Sequence, residues 1–204
     1  MAITLELPDR MTGLELGLEE GRRVSWEDYE SFCAANPELR TELSAEGRIL
    51  LMPPAGAESD FRSLDIGTQI YHYARRHPES AAFTTSVQYL LPDGAALSPD
   101  ASWVSAEKMA RLNRAQKRGF LPLVPDLVVE VLSPSDRMTR AQAKMRQWSG
   151  NGVPLAWLVD ADRQAIHIYR PGQEAELRTG MDSLEAGEAM PGFVLDCTHL
   201  WKPL

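Results

Sequence analysis

Leu123-Val124-Pro125-Asp126-Leu127-Val128-Val129-Glu130-Val131-Leu132 is the stretch on which the reading of this chain turns. It is rich in β-branched residues and too apolar for a strand with one solvated face. It is therefore expected at the centre of a sheet covered on both sides. The chain around it supplies the covering layers. Ser135 to Ser149 has helical character and runs into Gly150-Asn151-Gly152, good stop chemistry. Leu155 to Val159 and Ala165 to Arg170 read as a hairpin about Asp160 to Gln164.

Upstream, Ser25 to Asn36 predicts a short helix with Ser25 as N-cap and Asp28 in a capping-box place. Thr41 to Met52 predicts a hairpin around Glu46-Gly47, closed by Pro53-Pro54. A helix follows from Ser59 to His77, with Leu64, Tyr71 and Ala74 on one face. Then the period changes to two. Phe83 to Leu91 alternates as a half-buried strand, and Pro92-Asp93-Gly94 turns it back into Leu97 to Val104. Ala106 to Arg118 predicts a basic helix, and Met190 to Trp201 a last short strand. The sum is a mixed α/β domain, one sheet with helices on its faces.

Composition agrees with that class. The chain has 204 residues, 44% apolar and 25% charged, enough for one well-cored domain and too apolar for wholesale disorder. No apolar run approaches the ~20 residues of a membrane-spanning helix. The acidic, leucine-containing N-terminus does not resemble a secretory signal, and Cys33 and Cys197 make no metal-ligand spacing. A cytoplasmic protein with no membrane association is expected. The net charge of −8 argues against a protein that coats nucleic acid, though a nuclease can confine its basic surface to one cleft. Charge is unevenly spread: residues 1–50 hold 11 acids and 5 bases, while Lys108 to Arg118 holds 5 bases and no acid. Residues 1–24 are expected as an N-terminal extension and residues 25–204 as one domain.

Glu130 is the anomaly in the central strand. Its neighbours on both faces are apolar, and a buried carboxylate costs several kcal/mol unless paired, hydrogen-bonded, protonated or metal-bound. A strand that ends early would leave it solvated, and an arginine partner would also satisfy it. Asp126 shares its strand face but lies ~13 Å away at ~3.3 Å per residue, too far to share one ion. Asp100, on the return arm of the preceding hairpin, can approach across neighbouring strands. An Asp100–Glu130 pair would offer oxygen ligands to a hard cation, Mg2+ with Mn2+ as a substitute.

Lys144 follows on the next helix, and Arg137, Arg140 and Lys144 form one basic stripe at spacings of three and four. That stripe could be a solvated face. Packed over the acid pair, the lysine would instead stabilise negative charge developing at a phosphate. Lys108, Arg111, Arg114 and Arg118 could line a phosphate backbone or simply solubilise a helix. The four histidines are scattered, and neither phosphate-cradling nor dinucleotide-binding glycine patterns occur.

The run from Pro125 to Asp136, then Lys144-Met145, Gly152-Val153 and Trp157-Leu158-Val159-Asp160, resembles the Uma-two family. The likeness extends through Met52-Pro53-Pro54-Ala55-Gly56, Leu91-Pro92-Asp93-Gly94, Ser98-Pro99-Asp100-Ala101-Ser102-Trp103, Ile168-Tyr169-Arg170-Pro171-Gly172 and Pro191-Gly192-Phe193, about Trp26 to Trp201. This family groups with the PD-(D/E)xK restriction-endonuclease-like nucleases. The resemblance implies their core fold, with Asp100 and Glu130 as metal-holding acids. The superfamily's usual lysine, two residues after the second acid, is Leu132 here, and Lys144 on the next helix takes its part. Glu42 matches a further acidic position, and Glu58 heads a helix on which relatives often carry an acid. Many relatives have a histidine near that point; this chain has Ser59 and Asp60.

The implied function is Mg2+-dependent cutting of DNA by a homodimer. Asp100, Glu130, Lys144 and Glu42 are its principal residues, Glu58 and Asp126 are secondary, and Arg111, Arg114, Arg137 and Arg140 are backbone contacts. A catalytically silent nucleic-acid or protein-binding module on the same fold, or a hydrolase of small phosphodiesters, are the competing readings.

Overall fold

A computed structural model describes residues 15–16, 23–134 and 136–204. In chain order the elements begin with β1 (Glu15–Leu16), α1 (Trp26–Ala35), β2 (Thr41–Leu43), β3 (Ile49–Leu51), α2 (Ala57–Arg76), β4 (Ala81–Thr84) and β5 (Tyr89–Leu90). Next come β6 (Ala96–Leu97), β7 (Ala101–Val104), α3 (Ala106–Ala110), β8 (Leu127–Val131) and α4 (Met138–Gly150). The last are β9 (Leu155–Asp160), β10 (Ala165–Tyr169), β11 (Glu176–Thr179), β12 (Ser183–Glu185) and β13 (Val194–Asp196). The extension expected over residues 1–24 lies almost wholly outside the described residues, as does Ser135.

The main sheet has the order β11-β10-β9-β8-β7-β4. Only β8 and β9 run parallel, joined by α4 as the crossover that parallel strands require. As the apolar run Leu127–Val131 implies, β8 is interior and covered on both faces. Leu127, Val129 and Val131 pack with Ile66, Ile70 and Tyr73 of α2 and with Trp157, Phe193 and Leu195. Val128 packs on the other face with Met145 and Trp148 of α4, Ala156 and Leu158. Since side chains alternate along a strand, Glu130 leaves β8 on the α4 side.

A second sheet, β1-β3-β2-β6-β5, stands beside the first, so the single sheet expected from sequence is two, with a two-stranded β12-β13 ribbon besides. The strand expected over Phe83 to Leu91 is broken accordingly. β4 pairs with β7 in the main sheet, β5 pairs with β6 in the second, and a turn closed by Val87 N–H to the Thr84 carbonyl separates them. Alternation reports only which side faces inward, and both halves keep that pattern while changing partner. The long hairpin therefore bends, and Ser98-Pro99-Asp100 becomes the corner where the chain passes from one sheet to the other.

Two further expectations change. The buried face of α2 is Ile66, Ile70, Tyr73 and Ala74, whereas Leu64 and Tyr71 point to solvent. Two apolar sets share helical spacing, and contact with the sheet selects one. The basic helix over Ala106 to Arg118 is interrupted after Ala110, resuming only as a short 3-10 turn, Gln116–Arg118. Asn113 and Gln116 exchange hydrogen bonds between each one's side-chain oxygen and the other's backbone N–H, an alternative to helical pairing.

The N-cap and first hairpin form as read. Ser25 Oγ accepts from Asp28 N–H at 3.1 Å. Gly47 turns the hairpin at φ +74°, and a Cβ there would meet the Val24 backbone nitrogen at 2.9 Å. Among the described residues no helix is long and apolar enough to cross a membrane.

Candidate active site

The corner at Ser98-Pro99-Asp100 is where the site assembles. Asp100 stands one residue before β7. Extending the Ala101↔Val129 register by one step sets it opposite Glu130, as the cross-strand reading required. Asp100 Oδ2 accepts from Val131 N–H at 2.7 Å, so the corner is tied to β8 at the level of the glutamate.

From the second sheet, β2 presents Glu42, a residue only 2% exposed. Its Oε1 accepts from Ser98 N–H at 2.9 Å and holds the corner from the other side. From above, α4 supplies Lys144. Its ammonium lies 2.8 Å from Glu42 Oε1 and 2.9 Å from Glu130 Oε1, and it donates to the Ser98 carbonyl at 2.9 Å. Three acceptors match its three N–H bonds.

One turn further along α4, Trp148 donates its indole N–H to the same Glu130 oxygen at 2.9 Å. Trp148 was not among the residues singled out from sequence. Its spacing of four from Lys144 was the available signal, since residues four apart share a helix face. The helix is pinned over the site by the Pro92-Asp93-Gly94 turn. Asp93 Oδ2 accepts from Asn151 at 2.8 Å and from Gln147 at 3.1 Å, and Asp93 N–H donates to Asn151 Oδ1 at 3.0 Å.

The electrostatics follow from burial. Desolvation pushes the Glu130 carboxyl up to about 8; Asp100 and Glu42 push the same way, and only Lys144 opposes them. Burial also raises the Asp100 carboxyl, against the pull of the Val131 N–H and Lys144. Burial disfavours the Lys144 ammonium, but Glu130 and Glu42 outweigh that and hold it protonated, above the usual lysine range. Among the described residues the centre thus gathers three acids, Glu42, Asp100 and Glu130, around the single ammonium of Lys144. Asp100 Oδ1 and Glu130 Oε2 accept no hydrogen bond among the described residues.

Two cavities open onto these groups. One, of about 580 Å³, is lined by Glu42, Asp100, Glu130 and Lys144 together with Arg137 and Arg140. A smaller one of about 350 Å³ shares Glu42, Asp100, Glu130 and Lys144. Carboxylates outnumber basic side chains around the larger cavity.

Four of the sequence candidates lie elsewhere. Glu58 is turned away and paired with Arg62 at 3.1 Å. Ser59 and Asp60, one and two residues on, line the larger cavity in its stead, because a helix turns by about 100° per residue. Asp126 is engaged by Lys108 at 2.8 Å and accepts from Ser105 N–H at 2.7 Å, where it ties the start of α3 to the sheet. Arg111 is exposed and paired with Glu107, and neither it nor Arg114 lines either cavity. The break after α3 interrupts the strip that Lys108, Arg111, Arg114 and Arg118 would make on one continuous helix.

A solved structure described as "a putative nuclease belonging to DUF820", from Anabaena variabilis, superposes with a TM-score of 0.66 at 24% identity, covering 80% of this chain and 90% of that one. No curated protein matches the chain. The model of the Uma2 family, described as "Putative restriction endonuclease", matches residues 26–198. The chain therefore belongs to the Uma2 family and has a restriction-endonuclease-like fold.

Proposed function

We propose that this protein is a divalent-metal-dependent nuclease that hydrolyses phosphodiester bonds of DNA, with Asp100 and Glu130 as metal ligands and Lys144 and Glu42 completing the centre. The observation that carries the reading is a half-buried pair of acids set opposite one another at β7 and β8, each raised above its ordinary range, with an ammonium 2.9 Å from one of them beside an open cavity.

The donor set suits a hard cation. It is all oxygen, and each acid keeps one oxygen without a hydrogen-bond partner among the described residues. Binding a cation would relieve the burial and mutual repulsion that raise both carboxyls. Among the described residues no three Asp, Glu, His or Cys side chains converge to hold an ion. A two-carboxylate site completed by water and substrate oxygens is the mode Mg2+ tolerates best. When bound, Mg2+ supplies charge neutralisation at the phosphate and a more acidic water.

The chain's own groups do the rest. Lys144 carries a fixed positive charge beside the acids, where its field would stabilise negative charge developing at a phosphate. Glu42 and the Ser98 carbonyl hold that ammonium in place, and Glu42 also fixes the corner that carries Asp100. The indole of Trp148 orients the Glu130 carboxylate through one oxygen and leaves the other toward the cavity. Arg137 and Arg140 supply charge for the phosphate backbone at the cavity wall.

Incubation of supercoiled plasmid with Mg2+ or Mn2+ tests this. Nicked and linear products are expected, lost on chelation and abolished by Glu130→Gln or Asp100→Asn. Cutting that ignores metal, or that survives Glu130→Gln, refutes it. Binding of DNA without any cutting would assign the chain to a silent module on the same scaffold.

A further inference from the structure

Arg40 is a basic side chain at the site that the mechanism above does not use. Its carbonyl accepts from Met52 N–H at 2.9 Å, which extends the β2–β3 ladder by one pair. Arg40 and Glu42 are two residues apart along that ladder, so both leave it on the same side. Arg40 lines both cavities, as do Glu42, Asp100, Glu130 and Lys144. It stands where the two spaces meet.

Its guanidinium is exposed, and its one hydrogen bond among the described residues is a 3.5 Å contact to the Thr85 carbonyl. Arg62, Arg163 and Arg170 are each held by a carboxylate, yet Arg40 pairs with none among the described residues although acids surround the cavity. A planar, permanently charged fork with its donors uncommitted, close to the proposed cleavage centre, is suited to a tetrahedral anion.

We propose that Arg40 binds a substrate phosphate next to the one being cut, so that a bound strand runs from the larger cavity past the acid pair into the smaller. This rests on the phosphodiesterase reading above and adds a path for the strand. Lys144 cannot fill the same role, because its three donors are already committed to Glu42, Glu130 and Ser98.

Fluorescence anisotropy with end-labelled single-stranded and duplex oligonucleotides, in Ca2+ at a series of salt concentrations, tests the assignment. Arg40→Ala is expected to weaken binding roughly tenfold, as loss of a charged hydrogen bond does. The slope of log K against log salt should shrink by about 0.9 for duplex or about 0.7 for a single strand. Arg40→Lys should restore the slope and only part of the affinity. Melting temperature should not move in either variant, and in Mg2+ cleavage KM should rise more than kcat falls. Wild-type affinity and slope in Arg40→Ala overturn the Arg40 assignment alone. Absence of salt-dependent binding by the wild-type protein overturns the phosphodiesterase reading with it.

Discussion

Replacing Glu130 by glutamine should make the metal-free protein more stable, while replacing Lys144, 2.9 Å away, should do the reverse. The carboxyl of Glu130 is 14% exposed and is raised from an ordinary glutamate value of 4.5 to about 8. Between those pH values the native state holds a proton that the unfolded chain has released. Stability from this group is therefore complete below the unfolded value and declines as pH rises toward about 8. Each pH unit in that window costs about 1.4 kcal/mol. At pH 7 the native state has forfeited roughly 3 kcal/mol.

Glutamine is neutral throughout and keeps an oxygen for the Trp148 and Lys144 donors. Lys144 still has Glu42 and the Ser98 carbonyl, so no buried cation is stranded. Glu130→Gln should accordingly gain about 1–3 kcal/mol at pH 7 and lose most of its pH slope between about 5 and 8. Lys144→Met leaves Glu42 buried beside a second carboxyl with, among the described residues, only the Ser98 N–H donating to it, and should cost about 3–5 kcal/mol. Urea unfolding at pH 5, 6, 7 and 8, followed by tryptophan fluorescence with chelator present, measures both. A Glu130→Gln protein no more stable than wild type at pH 7, with an unchanged pH slope, would refute the argument that this acid is held against its own preference.

Other expectations follow from the same geometry. Mn2+ affinity, followed by calorimetry, should strengthen up to about tenfold per pH unit from about 5 to 8 and flatten above it, because binding must displace the Glu130 proton. A pH-independent affinity contradicts this. Trp148→Phe removes the indole donor from Glu130 and leaves a small void. Unfolding should show a loss of about 1–3 kcal/mol, and cleavage should show a fall in kcat with little change in KM. Gly47→Ala forces a side chain into positive φ against the Val24 backbone and should lower stability by at least about 1 kcal/mol without touching the site. Glu58→Gln breaks a partly exposed ion pair while Arg62 keeps the Leu200 and Lys202 carbonyls. A change below about 1 kcal/mol and unchanged cleavage are expected.

The sequence alone determined the central strand, the acid out of place within it and the helix that follows. These are local quantities: a β-branched run, one carboxylate amid valines, and apolar spacing closed by glycines. Proximity of Asp100 to Glu130 was legible too, because a hairpin followed by a strand brings those positions side by side. What only the tertiary structure decided is which surfaces meet. Glu58 and Asp60 are two residues apart on one helix; Glu58 meets Arg62 one turn on through local helical spacing, whereas only the packing of α2 placed Asp60 on the cavity wall. Phe83 to Leu91 has one alternation pattern, but hydrogen-bonding partners split it between two sheets and so created the corner that carries Asp100. Glu42, Glu130 and Lys144 stand on three separate elements and meet because β2, β8 and α4 converge there. Periodicity states which face of an element is buried, whereas the partner of that face depends on long-range pairing that no local pattern encodes.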